Sequence, residues 1–175
     1  MYTTTHDTVI GTLTLAGDHT GLRHLIFPQG DRAFHVPEQW QSWSEPFDRV
    51  RWQLDEYFSG SRQKFSVTLA PTGTLFQMAV WQALGGINYA NTCSYGHIAK
   101  SIGKPKASRA VGAANGANPI PIIIPCHRVI GASGKLTGFG GGLPTKQWLL
   151  VHETGEGQLF GVDPTIQEYE QRNQA

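Results

Sequence analysis

Between Glu56 and Glu153 the chain contains neither aspartate nor glutamate. That acid-free stretch carries Arg62, Lys64, Lys100, Lys104, Lys106, Arg109, Arg128, Lys135 and Lys146, while all 13 acidic residues lie in the flanks. The net charge of +1 therefore hides a strong segregation. Such asymmetry points to one positive face, of the kind a polyanion requires. A chance clustering of solvated lysines would leave the same pattern, so charge alone does not name the partner.

Cysteine is equally scarce. Cys93 and Cys126 are the only two in 175 residues, which excludes a disulfide framework and suits a reducing compartment. No Cys-x-x-Cys pair and no His-Glu-x-x-His helix occurs, so the usual zinc spacings are missing and neither metal nor cofactor is expected. No run approaches the ~20 apolar residues of a membrane span. Met1-Tyr2-Thr3-Thr4-Thr5-His6-Asp7 lacks the basic stretch and apolar core of a signal peptide. The expectation is a soluble, cytoplasmic protein of one domain or two small ones, with no membrane partner.

Against these absences stands Ile124-Pro125-Cys126-His127-Arg128-Val129-Ile130, which sets a thiol, an imidazole and a guanidinium side by side in an apolar run. A thiolate is the reactive form of cysteine, and neighbouring cationic or imidazole groups lower a thiol's pKa. The histidine can also take the thiol proton, directly or through a water. An activated sulfur nucleophile is the functional expectation. The competing one is structural, because free cysteine is among the most buried residue types.

Residues 8–16 and 21–27 are rich in β-branched residues and predict a hairpin that opens a small sheet. Phe47, Val50, Leu54, Tyr57 and Phe58 have helical spacing and stop at Gly60. Residues 65–69 predict another strand, and Ala70-Pro71-Thr72-Gly73 a turn and domain boundary. Thr74 and Gln77 form a capping box ahead of a helix with Leu75, Phe76, Ala79, Val80, Ala83, Leu84 and Ile87 on one face. Ser94 can cap a short helix over 95–102, which Gly103-Lys104-Pro105 breaks and residues 106–114 resume. Two short helices at such a turn fit a helix-turn-helix, although helical hairpins that bind nothing are common. The second helix is small residues around Arg109, which suits close approach to another helix or to a nucleic-acid groove. Residues 115–125, with three prolines and three consecutive isoleucines, predict a stiff, extended, buried segment leading to Cys126. The glycine-rich loop 138–142 suits a pocket wall. Pro144 and Gly155 bound a last helix, and the polar tail beyond Val162 is expected to fray. The fold class is α+β. Residues 1–72 form a small sheet-and-helix structural domain, and residues 73–175 a mostly helical domain with the helix-turn-helix and the cysteine segment.

Taken together, Pro125-Cys126-His127-Arg128-Val129-Ile130, the preceding Arg109-Ala110-Val111-Gly112 and Asn118-Pro119, and the following Gly141-Gly142-Leu143 and Lys146-x-Trp148-Leu149-Leu150-x-His152-Glu153 resemble the O6-alkylguanine-DNA alkyltransferases, nearest to the bacterial constitutive type. The specific likeness covers about residues 74–155. It implies a stoichiometric, self-inactivating methylated-DNA–protein-cysteine methyltransferase. Such a DNA repair protein flips O6-alkylguanine out of duplex DNA and moves the alkyl group to its own cysteine, with O4-alkylthymine as a further substrate left open. By that resemblance Cys126 is the acceptor, His127 takes its proton through a water, and Glu153 orients the histidine. Tyr95 donates to the leaving base and turns the flipped nucleotide's phosphate, and Asn118 links the recognition helix to the active-site segment. Arg109 fills the vacated base stack. Ser108, Ala107, Gly112, Lys104, Lys106, Tyr95 and Arg128 contact DNA. Val129, Ser133, Thr137, Gly138, Phe139, Gly140 and Gly141 line the guanine pocket. The partner implied is double-stranded DNA carrying the lesion, met by a monomer, with cooperative assembly on DNA left open.

The chain departs from the family pattern at several places. Ile87-Asn88-Tyr89-Ala90-Asn91 stands where relatives carry an Ile-Pro-x-Gly-Glu/Gln turn. Phe139 and Gly140 replace a tyrosine and a serine or alanine, Ser108 replaces a common alanine, and the zinc ligands of some animal relatives are absent. Three other classes compete. A non-enzymatic alkylated-DNA-binding relative would lack the cysteine. A helix-turn-helix regulator would need a dimer or an added module. A cysteine hydrolase would need an oxyanion hole.

Overall fold

Two hairpins, rather than one, build the first sheet. In the computed structural model, which describes residues 1–28 and 36–155, strands β1 (Tyr2–Thr8), β2 (Gly11–Asp18) and β3 (Gly21–Ile26) are successively antiparallel, and β4 (Gln41–Ser42) lies parallel to β1. The sheet order is β3-β2-β1-β4. Leu13 and Leu15 of β2 and Leu22 and Leu25 of β3 are buried in the core. The expected β2–β3 hairpin is present, and β1 is an addition to it. Its threonine-rich sequence has no apolar alternation, and its strand form depends on pairing with β2, as between His6 and Leu13.

Helix α1 (Asp48–Phe58) follows a short 3-10 turn and buries Val50, Leu54 and Tyr57 in the same core. Gly60, at φ +79°, ends the turn that follows it. The strand expected over 65–69 is instead an extended segment with a single bridge, Leu22 to Leu69. Further along the segment, Ser66 N–H donates to the Gln53 side chain, at 2.8 Å from Oε1, rather than to a neighbouring strand.

Beyond this segment the structure is helical, and the whole is α+β. Helix α2 (Leu75–Gly85) starts on the expected capping box, with Gln77 N–H on Thr74 Oγ1 at 3.2 Å and Thr74 N–H on Gln77 Oε1 at 2.8 Å. Its buried face is Val80, Trp81 and Leu84. Leu75, expected on that face, is 92% exposed in the first turn, and Ile87 falls beyond the helix end. Strand β5 (Cys93–Ser94) leads into α3 (Tyr95–Ser101), where Ser94 accepts from His97 N–H as expected. Gly103, at φ +70°, turns the chain toward α4 (Ser108–Gly116). Trp81 Nε1 donates to the Ala114 carbonyl at 2.8 Å, fixing α4 on α2. Helices α3 and α4, joined by the turn at Gly103, are the two short helices expected of a helix-turn-helix, and α2 packs against them.

The segment before Cys126 is not extended. Ile124 N–H donates to Ile120 O at 2.9 Å, Ile123 N–H to Pro121 O at 2.9 Å, and Ile122 sits at φ +71°. Prolines fix their own φ but not that of the isoleucines between them. The tight turn buries Ile120, Ile122 and Ile124 together, which offsets the strain of a β-branched residue in the left-handed region. A two-residue strand β6 (Val129–Ile130) and helix α5 (Leu143–Thr154) complete the described chain, with Pro144 in the first turn and Gly155 at φ +69°. The tail beyond Val162 lies outside the described residues. No described helix is long and apolar enough to cross a membrane.

Candidate active site

The parallel pairing of β5 with β6, Cys93 opposite Val129 and Ser94 opposite Ile130, places the start of α3 beside the cysteine segment. Cys126, His127 and Arg128 form a 3-10 turn just before β6, and all three are buried. Asn115 at the end of α4 donates from Nδ2 to the Cys126 carbonyl at 3.3 Å. Asn118 donates to Ile124 O at 2.8 Å and accepts from Ile120 N–H at 3.0 Å. The helix-turn-helix and the cysteine turn are therefore tied through backbone and amide hydrogen bonds.

Cys126 is only 3% exposed. Burial pushes its thiol up to about 11, and a hydrogen bond from the Asn118 side chain and the Lys146 charge counter this only in part. This corrects the expectation that the neighbouring groups lower its pKa. The low dielectric around the sulfur outweighs its neighbours, so the resting group is a thiol whose proton must leave during the reaction.

His127 is fully buried, and its Nε2 lies 2.8 Å from Glu153 Oε1. Burial lowers its pKa below the ordinary histidine value, against the opposing pull of Glu153. The ring therefore rests neutral, with its proton on the nitrogen that faces the carboxylate. Its Nδ1 is buried and has no hydrogen-bond partner among the described residues. A neutral imidazole with an unengaged buried nitrogen has the lone pair a general base needs.

Burial alone would raise the Glu153 pKa, but hydrogen bonds from His127 and Arg128, together with the Arg128 charge, hold it well below the usual carboxylate range. Oε1 accepts from His127 Nε2, from Arg128 Nη2 at 2.9 Å and from Tyr57 Oη at 2.7 Å. Oε2 accepts from Arg128 Nε at 2.8 Å and from Ala90 N–H at 3.3 Å. Arg128, expected on the DNA surface, is thus a buried counter-charge instead. It is 6% exposed, donates a third bond to Ile87 O at 2.7 Å, and lies 5.7 Å from the Tyr89 ring. A carboxylate this deeply buried requires a cation, and Arg128 is within reach of it.

Next to this cluster a cleft of about 710 Å³ opens to the surface. Tyr95, Ser108, Arg109, Gly112, Thr137, Gly138, Phe139 and Gly140 line it, all of them expected site residues. Ser94, Gly96, Ala113, Gly116 and Ala132 complete its wall and were not expected there. Tyr95 Oη lies 2.8 Å from Thr137 Oγ1, and burial raises its pKa, so the phenol keeps its proton. Three residues expected in the pocket do not line it. Val129 is fully buried in the β5–β6 pair. Ser133 is exposed in the turn spanning 131–135. Gly141 packs against Phe27, where a Cβ would come within 2.7 Å of the ring. Lys104 and Lys106 are exposed and Ala107 half-buried on the approach to α4, outside the cleft wall.

Two buried groups escaped the sequence reading. Lys146, with no exposed surface, donates from Nζ to Val129 O at 2.7 Å and Thr137 O at 3.0 Å, and burial brings its pKa down to about 8. Its signal was the spacing 146, 149, 150, 153, the buried face of α5. Tyr57 passed as an apolar core residue, because nothing in its own helix marks its hydroxyl. Among the described residues no group of three or more histidine, cysteine or acidic side chains is placed to hold a metal.

Comparison with known proteins gives a consistent picture. Residues 1–71 match the family described as 6-O-methylguanine DNA methyltransferase, ribonuclease-like domain, and residues 75–155 match 6-O-methylguanine DNA methyltransferase, DNA binding domain. The methylated-DNA–protein-cysteine methyltransferase of Methanosarcina acetivorans is 52% identical over 153 residues, covering 87% of this chain and 98% of its own. The protein of that name from Mycobacterium bovis is 50% identical over 151 residues, covering 85% and 90%. The crystal structure of Mycobacterium tuberculosis OGT in complex with DNA matches with a TM-score of 0.84 at 46% identity, over 95% of this chain and 99% of that one.

Proposed function

The chain belongs to the 6-O-methylguanine DNA methyltransferase family, and from that premise we propose that it repairs DNA by moving the alkyl group of O6-alkylguanine onto its own Cys126, once per molecule. The observation that carries this reading is the buried Cys126-His127 turn, in which Glu153 holds one imidazole nitrogen and leaves the other unengaged.

The chemistry follows from these groups. The lesion is drawn from the duplex into the cleft beside Tyr95, at a cost of a few kcal/mol of unstacking. His127 Nδ1 takes the Cys126 proton through a water, and Glu153 stabilises the imidazolium that forms. The sulfur attacks the alkyl carbon; the S–C bond forms as the C–O6 bond breaks, and the electron pair leaves with the guanine. Tyr95, protonated at rest, donates to the departing base. A thioether cannot be returned to a thiol by these residues, so the protein is consumed.

Arg109, exposed on the cleft wall among small residues, fills the space left by the flipped base. Ser108, Ala107 and Gly112 let α4 approach the minor groove, where little sequence can be read, which suits repair in any context. Lys104 and Lys106 supply phosphate contacts. Residues 1–72 and 73–175 act as two domains of a cytoplasmic monomer.

The test compares transfer of a labelled methyl group from duplex DNA and from the free modified base. Arg109→Ala is expected to slow transfer from the duplex by roughly tenfold or more, given the unstacking cost, and to leave the free base nearly unaffected. Equal losses on both substrates would contradict base extraction by Arg109. Binding without any transfer would favour a lesion-binding or regulatory protein.

A further inference from the structure

We propose that Tyr57, on α1 in the N-terminal half, is a positioning residue for the transfer, its hydroxyl holding the Glu153 carboxylate in register with His127. The proposal rests on the repair reading above.

Tyr57 Oη donates to Glu153 Oε1 at 2.7 Å, and His127 Nε2 lies 2.8 Å from that same oxygen. The two donors therefore share one acceptor atom, across 96 residues of sequence. Tyr57 is fully buried, and a second bond ties its backbone to the catalytic helix: His152 Nε2 donates to the Tyr57 carbonyl at 2.7 Å. Its ring packs against Phe58, Phe65, Tyr89 and His152. This packing fixes the hydroxyl's position without help from the carboxylate. Burial, and then the charge of Glu153, raise its pKa, so it remains a donor through the working pH range.

The groups that face this pair come from four elements. Glu153, His152 and Lys146 lie on α5, His127 and Arg128 on the cysteine turn, Tyr89 on the loop after α2, and Tyr57 on α1. Arg128 grips both carboxylate oxygens and would hold the charge in place by itself. What it does not fix is how much of the Oε1 charge His127 receives. The Tyr57 hydroxyl takes a share, which keeps His127 from being protonated too early. It also closes the remaining approach to Oε1, which keeps the imidazole aimed. The N-terminal half thereby contributes a group to the chemistry as well as a scaffold.

Tyr57→Phe removes only the hydroxyl and keeps the ring. Without it the carboxylate stabilises the imidazolium more strongly, so the pKa of His127 rises. Transfer needs neutral His127, so the acid limb of the single-turnover rate profile should move to higher pH. The plateau should fall about three- to tenfold, the range of one ordinary hydrogen bond, because the imidazole loses the aim that the hydroxyl gives it and this outweighs the stronger base. In a Glu153→Gln background the same substitution should cost nothing further, because the two act through one carboxylate. An independent readout is the His127 ring titration followed by NMR, expected to shift upward in Tyr57→Phe. That measurement does not need transfer to occur, so it separates failure of this proposal from failure of the repair reading. An unshifted titration, a rate profile overlying wild type, or an equal loss in the Glu153→Gln background would each overturn the role of Tyr57.

Discussion

Arg128 and Cys126 are neighbours of His127 in the chain, yet their surroundings give each a role its residue type does not announce. A basic side chain in an acid-free stretch reads as a phosphate contact. Here its partner is Glu153, 25 residues away on another helix, and only the folded structure brings them together. The cysteine likewise reads as activated because histidine and arginine flank it. In the fold both side chains turn toward Glu153, and the sulfur is left in an environment that favours the thiol. The pairing of cysteine with histidine was legible in seven residues. The electrostatics were not, because they depend on burial and on partners distant in sequence. Arg128→Met tests the corrected role. Removing one member of a buried ion pair costs about 3–5 kcal/mol, so the melting temperature and the transfer rate should both fall sharply. DNA affinity of the folded fraction, measured at fixed salt, should stay unchanged. A variant of wild-type stability with weakened DNA binding would return Arg128 to the surface.

At the scale of elements, end signals carried the most information. The capping box at Thr74, the Ser94 cap and the Gly155 stop lie where the sequence places them, because each satisfies backbone groups within one turn. β1 and the segment 65–69 were misjudged for the opposite reason: their conformation is set by a partner strand and by the Gln53 side chain. The loop Asn88-Tyr89-Ala90-Asn91 departs from the turn that the resemblance implies. Ala90 adopts φ +61° where the resembling proteins carry glycine, and its N–H caps Glu153. Left-handed alanine is strained by roughly 1–2 kcal/mol, partly offset by the lower entropy of alanine in the unfolded chain. Ala90→Gly should therefore stabilise the protein by about 0.5–1 kcal/mol in denaturant unfolding and leave the transfer rate unchanged, since the N–H persists. Destabilisation would show that the alanine methyl contributes packing that outweighs the strain.

Over the whole molecule, the two halves share one site. The sheet supports α1, α1 presents Tyr57, and Leu25 of β3 donates to the Pro119 carbonyl at 2.9 Å beside the cysteine segment. Phe27 packs on Phe139 and Gly141 at the cleft loop. The charge segregation fits the same plan. The exposed cations Lys100, Lys104, Lys106 and Arg109 belong to the helix-turn-helix face, and no acidic residue lies among them. The α+β class and the helix-turn-helix were readable from periodicity and turn chemistry. The dependence of the site on the N-terminal half was not, because long-range hydrogen bonds leave no local pattern.

The central claim is that Cys126 is the single acceptor of an alkyl group from DNA. Peptide mapping by mass spectrometry, after reaction with excess duplex DNA carrying O6-methylguanine, tests it most directly. The account predicts one added methyl group per chain, on the peptide containing Cys126, with Cys93 unmodified and Cys126→Ala unlabelled but still retained on DNA. Methyl on Cys93, more than one transfer per chain, or label on the Cys126→Ala variant would contradict it.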